Sequence, residues 1–240
     1  MTHPIKICLY SQKGSENQER KENQMAKLHF KYGVMAASKS SDLCIQAYNL
    51  REAGNKYEAI KPIKDNRDSD NEIKPRLKEL REPALVLKDF DNYQPKADTQ
   101  FILIDEVQFF TPKDIYKLSY IADTTDITIF CWGLNIDSDG QIFPTAAALF
   151  AEADEIERKE TVCQIKGCTK TATHHIKFAP DGSILRGGPQ IDVGGAEKYI
   201  SVCRCCFHNL YDDETSNLYR YMRLKKAQAE AEAKARQKIR

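Results

Sequence analysis

A strand that is apolar at every position must be covered on both of its faces, and strands of that kind belong to parallel sheets flanked by helices. Phe101-Ile102-Leu103-Ile104 is such a run, and it stops abruptly at Asp105-Glu106. Residues 127–131 form a second buried run, and residues 114–123 between them read as a helix. Upstream, residues 27–32 alternate apolar with basic or polar side chains, as a strand does, and lead into Gly33. From Ser40 onward Leu43, Cys44, Ala47 and Leu50 recur at helical spacing until Gly54 supplies the stop. Short apolar runs at 57–60 and 84–87 predict two further strands, and the highly charged stretch 61–81 between them predicts a loop with some helix. Strands alternating with helices in this way define an α/β class, a parallel sheet with flanking helices.

The composition changes along the chain. Residues 1–24 are polar and aperiodic and read as a disordered extension, with ordered pattern starting at Met25, which could itself be the start. Residues 25–158 hold the α/β pattern. Residues 159–213 are dominated by glycines, cysteine pairs and short strand-like pieces, too little apolar material for an independent core. Residues 214–240 are rich in Ala, Lys and Arg and read as a basic terminal helix or tail. The 36 basic and 35 acidic side chains leave a net charge of +1, which argues against the broad positive field of a non-specific nucleic-acid binder. No apolar run approaches the roughly 20 residues that span a bilayer, so no membrane partner is expected and the expected compartment is the cytoplasm.

Chemistry enters at the strand ends. Gly33-Val34-Met35-Ala36-Ala37-Ser38-Lys39-Ser40 lies between a strand and a helix and nearly matches a phosphate-binding loop, with Ser38 where the second glycine belongs. Backbone N–H groups and the positive end of the new helix suit phosphates, and Lys39 adds a cation. Ser40 and Asp105 would organise Mg²⁺. If residue 38 must adopt a left-handed backbone, its side chain costs about 1–2 kcal/mol. Glu106, next to that site, is placed to accept a proton from a hydroxyl substrate. Ligands of open α/β sheets bind at the carboxyl ends of strands, where both the loop and the acidic pair fall.

Eight cysteines in a chain of this kind point to metal ligands more than to disulfides, and five of them crowd into the last third. Cys163-x4-Cys168 and Cys203-x2-Cys206 read as a closed Cys₄ set for structural zinc, with Cys205 and His208 as competing ligands. The segment 169–202 carries four Lys or Arg against three Asp or Glu, too nearly neutral for a nucleic-acid zinc ribbon.

Five blocks together carry a resemblance. They are MAKLHFKYGVMAASKS at 25–40, Asp65-Asn66-Arg67, IDEVQFF at 104–110, GLNIDSDGQIF at 133–143 and IDVGGAEKYISVCRCC at 191–206. In order and spacing the chain resembles the type II thymidine kinase family. The resemblance implies ATP-dependent phosphorylation of the thymidine 5′-hydroxyl on a P-loop sheet, closed by a small zinc-stapled lasso domain, in a homotetramer. It implies that residues 33–40, Asp65, Asn66 and Arg67, with Asp105, Val107 and Gln108, line the ATP site, and that Glu106 is the catalytic base. It implies further that Met35, Phe109 and Leu134 wall the base, and that Gln190-Ile191-Asp192-Val193-Gly194, Tyr199 and the Ser138 position face the nucleoside.

The chain also departs from that family. Ser38 replaces glycine, Ser138-Asp139 replaces an aromatic and often a basic residue, and His175 stands near a threonine-like position. Pro75-Arg76-Leu77-Lys78 replaces an SRIG-like segment, and the first cysteine pair is wider by two residues. These departures keep open an alternative, a catalytically degenerate relative that binds nucleotide or a partner without efficient turnover.

Overall fold

The computed structural model describes residues 27–63, 71–77, 79–179, 182–187 and 199–212, with residues 211 and 212 described by backbone alone. The extension at 1–24 and the tail at 214–240 lie outside the described residues, as do Asp65, Asn66, Arg67 and the Gln190–Gly194 segment.

In chain order the elements are β1 (Leu28–Tyr32), α1 (Lys39–Glu52), β2 (Tyr57–Pro62), β3 (Glu72–Ile73), β4 (Glu82–Pro83), β5 (Leu85–Leu87) and β6 (Phe101–Ile104). A single 3₁₀ turn (Val107–Phe109) precedes α2 (Pro112–Thr124), β7 (Thr128–Gly133), α3 (Pro144–Glu152) and β8 (Glu155–Arg158). β9 (His174–Lys177), β10 (Tyr199–Val202) and α4 (Arg204–Asp212) complete the described chain. Six strands form one sheet in the order β5-β2-β6-β7-β1-β8. Every pairing in it is parallel.

The continuous apolar runs behave as their composition requires. Ile102, Ile104, Ile129 and Phe30 face one side, where Ile115, Leu118 and Ile121 of α2 and Ala146 and Leu149 of α3 cover them. Leu103 and Trp132 face the other side against Leu43, Cys44, Ala47 and Leu50 of α1. Asp42, in the first turn of α1, ties that helix down. It accepts from Trp132 Nε1 at 2.8 Å and pairs with Lys159 at 2.8 Å and Lys31 at 3.4 Å.

Some expectations are corrected. Of the stretch 61–81, residues 64–70 and 78 lie outside the described residues and the rest form no helix; β3 within it pairs antiparallel with β4, just beyond its end. α2 begins at Pro112 rather than 114, because Thr111 and Asp114 form a reciprocal capping box ahead of it. β8 had no apolar signature at all: Glu155-Ile156-Glu157-Arg158 is exposed throughout and joins as an edge strand beside β1.

Beyond β8 the apolar side chains form a separate small cluster of Ile165, Ile176, Phe178, Ile184, Val202, Phe207 and Leu210 with the cysteines. β9 and β10 pair antiparallel in it, with His175 opposite Ser201. Among the described residues no helix is long and apolar enough to cross a membrane.

Candidate active site

The sheet order decides which strand ends meet. β7 lies between β1 and β6, so the loop leaving β1 and the acidic pair leaving β6 converge around Gly133 at the end of β7. Gly33 N–H donates to Gly133 O at 3.2 Å. A Cβ at Gly133 would stand 2.6 Å from Val107 Cγ1 and 2.7 Å from Gln108 Oε1, so only glycine lets these three segments close up.

The loop between β1 and α1 is strained in the way the serine suggested. Ala36 and Ser38 hold φ of 60° and 55°, the left-handed region, and Ser38 caps α1 without a side-chain hydrogen bond. Val34 and Ala37 are buried, with Ala37 N–H donating to Val34 O at 3.3 Å. Lys39 is buried, and its Nζ donates to Gly33 O at 3.1 Å and Val34 O at 2.9 Å. Burial draws the Lys39 pKa down, while the charges of Glu106 and Asp105 draw it up. The lysine and both carboxylates therefore share one electrostatic site.

Asp105 is buried, and its Oδ1 has no hydrogen-bond partner. Burial and the neighbouring Glu106 charge push its pKa up to about 7, against hydrogen bonds from the Ser40 side chain and the Glu106 backbone. A buried carboxylate oxygen without a partner, beside a serine hydroxyl, is a donor set of hard oxygens that suits Mg²⁺. Glu106 itself adopts a left-handed backbone with φ of 51°. Its carboxylate accepts from Gln108 Nε2 at 2.6 Å, while Gln108 Oε1 accepts from Leu134 N–H at 3.0 Å. Gln108 thus fixes Glu106 and the exit of β7 with one amide. Val107 is buried in the sheet core, and Leu134 packs against that core. Phe109 is half-buried in the 3₁₀ turn.

The cysteine-bearing region touches this site directly. The Ser201 hydroxyl on β10 donates to Met35 O in the loop. Asp139 Oδ2 accepts from Gly187 N–H at 2.9 Å, which gives the Ser138-Asp139 departure a bridging contact in place of a ring. Tyr199 lies on β10 with its ring 5.9 Å from that of His175. Ser201 and the amide of Gln108 were given no such linking part by sequence reasoning. A serine in the run Tyr-Ile-Ser-Val shows only which face it occupies, not what meets that face.

Cys163, Cys168, Cys203 and Cys206 bring their sulfurs within 4.8 Å of one another. Four thiolates around zinc at about 2.3 Å form a tetrahedron with edges of about 3.8 Å. The Cys168 and Cys203 sulfurs are 3.8 Å apart, and Cys206 N–H donates to Cys203 Sγ at 3.5 Å. Cys205 is exposed, turned to Asn209, and neither it nor His208 joins the set. The donor chemistry fits a closed tetrahedral ion.

Similarity to known proteins runs through the whole of this arrangement. A family model described as Thymidine kinase matches residues 26–207. The thymidine kinase of Chromobacterium violaceum is 36% identical over 186 residues, 77% of this chain and 100% of its own length. That of Jannaschia sp. is 34% identical over 196 residues, 79% of this chain and 98% of its own. That of Rhizobium meliloti is 33% identical over 189 residues, 75% and 95% respectively.

Proposed function

The chain belongs to the thymidine kinase family, and from that premise we propose that it transfers the γ-phosphoryl group of ATP to the 5′-hydroxyl of thymidine, giving thymidine monophosphate. The observation that carries this reading is the meeting of Lys39, Asp105 and Glu106 at the end of β7, with the Asp105 Oδ1 left without a partner.

Phosphoryl transfer asks a protein mainly for positioning and charge neutralisation. The loop N–H groups of residues 33–40 and the N-terminus of α1 receive the phosphates, and Lys39 supplies a cation beside them. Ser40 and Asp105 would hold Mg²⁺, which neutralises charge on the phosphates when bound. Glu106, held by Gln108, accepts the proton of the 5′-hydroxyl as that oxygen bonds to the γ-phosphorus and the bond to the ADP oxygen breaks. Asp65, Asn66 and Arg67 complete the ATP site in this reading. Met35, Phe109 and Leu134 supply apolar walls for the base, and Ser138, residues 190–194 and Tyr199 face the nucleoside.

Residues 159–213 act as a lid over the nucleoside, stapled by structural zinc on Cys163, Cys168, Cys203 and Cys206, and residues 25–158 as the catalytic sheet. The contact of Ser201 with Met35 supports that division of labour. Thiolates that must stay reduced suit a cytoplasmic protein, and the assembly we propose is a homotetramer.

A radiometric assay against a panel of nucleosides tests the reading. Thymidine should be phosphorylated with ATP and Mg²⁺, and purified protein should carry about one zinc per chain. Binding of ATP and thymidine by calorimetry with no product formed would replace this reading with that of a degenerate relative.

A further inference from the structure

His175 sits at the junction of the loop, the lid hairpin and the lysine. It sits opposite Ser201 on the β9–β10 pair, so the two side chains share a face, and Tyr199, two residues before Ser201, shares it too. That face meets the phosphate loop, because the Ser201 hydroxyl donates to Met35 O. The His175 side of it is 2% exposed, and the ring Nδ1 is buried with no hydrogen-bond partner. A polar atom buried without a partner costs about 1–3 kcal/mol, and native folds rarely keep one without a use.

We infer that the His175 Nδ1 is a specificity-determining contact of the nucleoside site, completing its hydrogen bond with an uncharged polar atom of the bound nucleoside. The inference rests on the nucleoside-kinase reading above and adds a residue that the reading leaves without a role. The uncharged ring, together with the reading above, separates nucleoside from phosphate as the partner. Burial, then the nearby Lys39 charge, pull the His175 pKa down to about 3, so the ring offers a dipole and no positive charge. In the reading above, the phosphates take the loop N–H groups, the helix N-terminus and Lys39. The Tyr199 ring lies edge-on to the imidazole, with ring centroids 5.9 Å apart and an interplanar angle of 70°.

The test compares the wild-type chain with His175→Leu, His175→Asn and His175→Gln. An asparagine amide falls where Nδ1 lies, whereas a glutamine amide falls nearer Nε2. Thymidine affinity is measured by calorimetry without ATP, and KM and kcat are measured for thymidine and for ATP. The expected result for His175→Leu is a thymidine Kd and KM raised about 10-fold, with ATP KM and zinc content unchanged. Its melting temperature should be equal or higher, since an unpaired polar group has been replaced by an apolar one. His175→Asn should keep thymidine affinity within about 3-fold of wild type, and His175→Gln should resemble the leucine variant.

Unchanged thymidine affinity in His175→Leu, or an equal loss for ATP and thymidine, would overturn the inference. If the leucine variant fails to fold, the asparagine and glutamine variants decide: equal thymidine affinity in those two overturns it, and a clear advantage for asparagine supports it. Wild-type protein that phosphorylates no nucleoside in the panel sinks the kinase reading and this inference with it. A wild-type enzyme that turns over thymidine beside variants that match it sinks this inference alone.

Discussion

The parallel sheet and the cysteine-bearing hairpin hold their functional residues by different means. In the sheet, Ile102, Leu103, Ile104, Ile129 and Trp132 are fully buried between helices, so Asp105 and Glu106 are anchored by apolar area on both faces of β6. Such burial contributes about 25 cal/mol per Å² and is spread over many side chains. The hairpin buries far fewer residues, and four thiols form the centre of its cluster. One region therefore spreads its stability over many side chains, whereas the other depends on one small set of bonds. They meet at Ser201 with Met35, at Gly187 with Asp139, and at His175 near Lys39. Disorder in the hairpin is thus felt at the phosphate loop.

The largest expected effect comes from breaking the weaker partner. Cys206→Ser should take bound zinc from about one ion per chain to background and remove the hairpin's contribution to the melt, leaving the sheet's transition in place. Thymidine phosphorylation should fall at least about 10²-fold, because Tyr199, Ser201 and His175 lose their placement. Metal analysis beside circular dichroism would show it; one cooperative loss of all structure would mean the two regions are not held separately.

Next in size is a change on the sheet that touches no packing. Glu106→Gln should lower kcat by about 10²–10⁴-fold with folding and zinc content intact. Undiminished turnover in that variant would remove Glu106 from its role as the base.

A smaller effect reads the electrostatic cost the sheet carries at Asp105. Its folded pKa, about 7, lies above the ordinary carboxylate value. The folded chain then holds a proton that the unfolded chain releases between about pH 4 and 7, so this group's contribution to stability falls as pH rises through that window and is level above it. Asp105→Asn should accordingly raise the melting temperature of nucleotide-free protein at pH 8 and change it little at pH 4.5. Equal gains at both pH values would show that Asp105 is not held protonated. The same variant should bind Mg²⁺·ATP more weakly.

The smallest effect lies in the loop backbone. Ser38→Gly relieves a left-handed serine worth about 1–2 kcal/mol, partly offset by about 0.4–1 kcal/mol of added freedom in the unfolded chain. The net gain should lie between about 0 and 1.6 kcal/mol, visible as a rise in melting temperature of a few degrees at most. A large gain in kcat would show that Ser38 limits the wild-type rate, and no gain would show that the loop already adopts its working shape.

Much of the sheet was legible because its signal is local. Phe101-Ile102-Leu103-Ile104 declares burial on both faces without reference to any other residue, and the helical spacing of Leu43, Ala47 and Leu50 does the same for α1. β8 was not legible, since Glu155-Ile156-Glu157-Arg158 has neither periodicity nor burial and becomes a strand only because β1 presents a free edge to it. The β3–β4 pair was missed for a similar reason: two-residue strands are held by each other and leave no pattern. At the site, residue types pointed to Lys39, Asp105 and Glu106, but nothing in Val-Gln-Phe says that Gln108 grips Glu106 with one end of its amide and Leu134 with the other.

What the amino-acid order determined alone is the set of groups available: a loop ending in Lys39-Ser40, two carboxylates after a buried strand, and four thiols in two close pairs. These follow from periodicity and residue chemistry, which act over a few neighbouring positions. Only the tertiary structure decided that β7 would lie between β1 and β6, that Cys206 and not Cys205 would turn inward, and that His175 would be sealed against the loop with Nδ1 unpaired. Those outcomes depend on strand order and on contacts between residues far apart in the chain, where no local preference reaches.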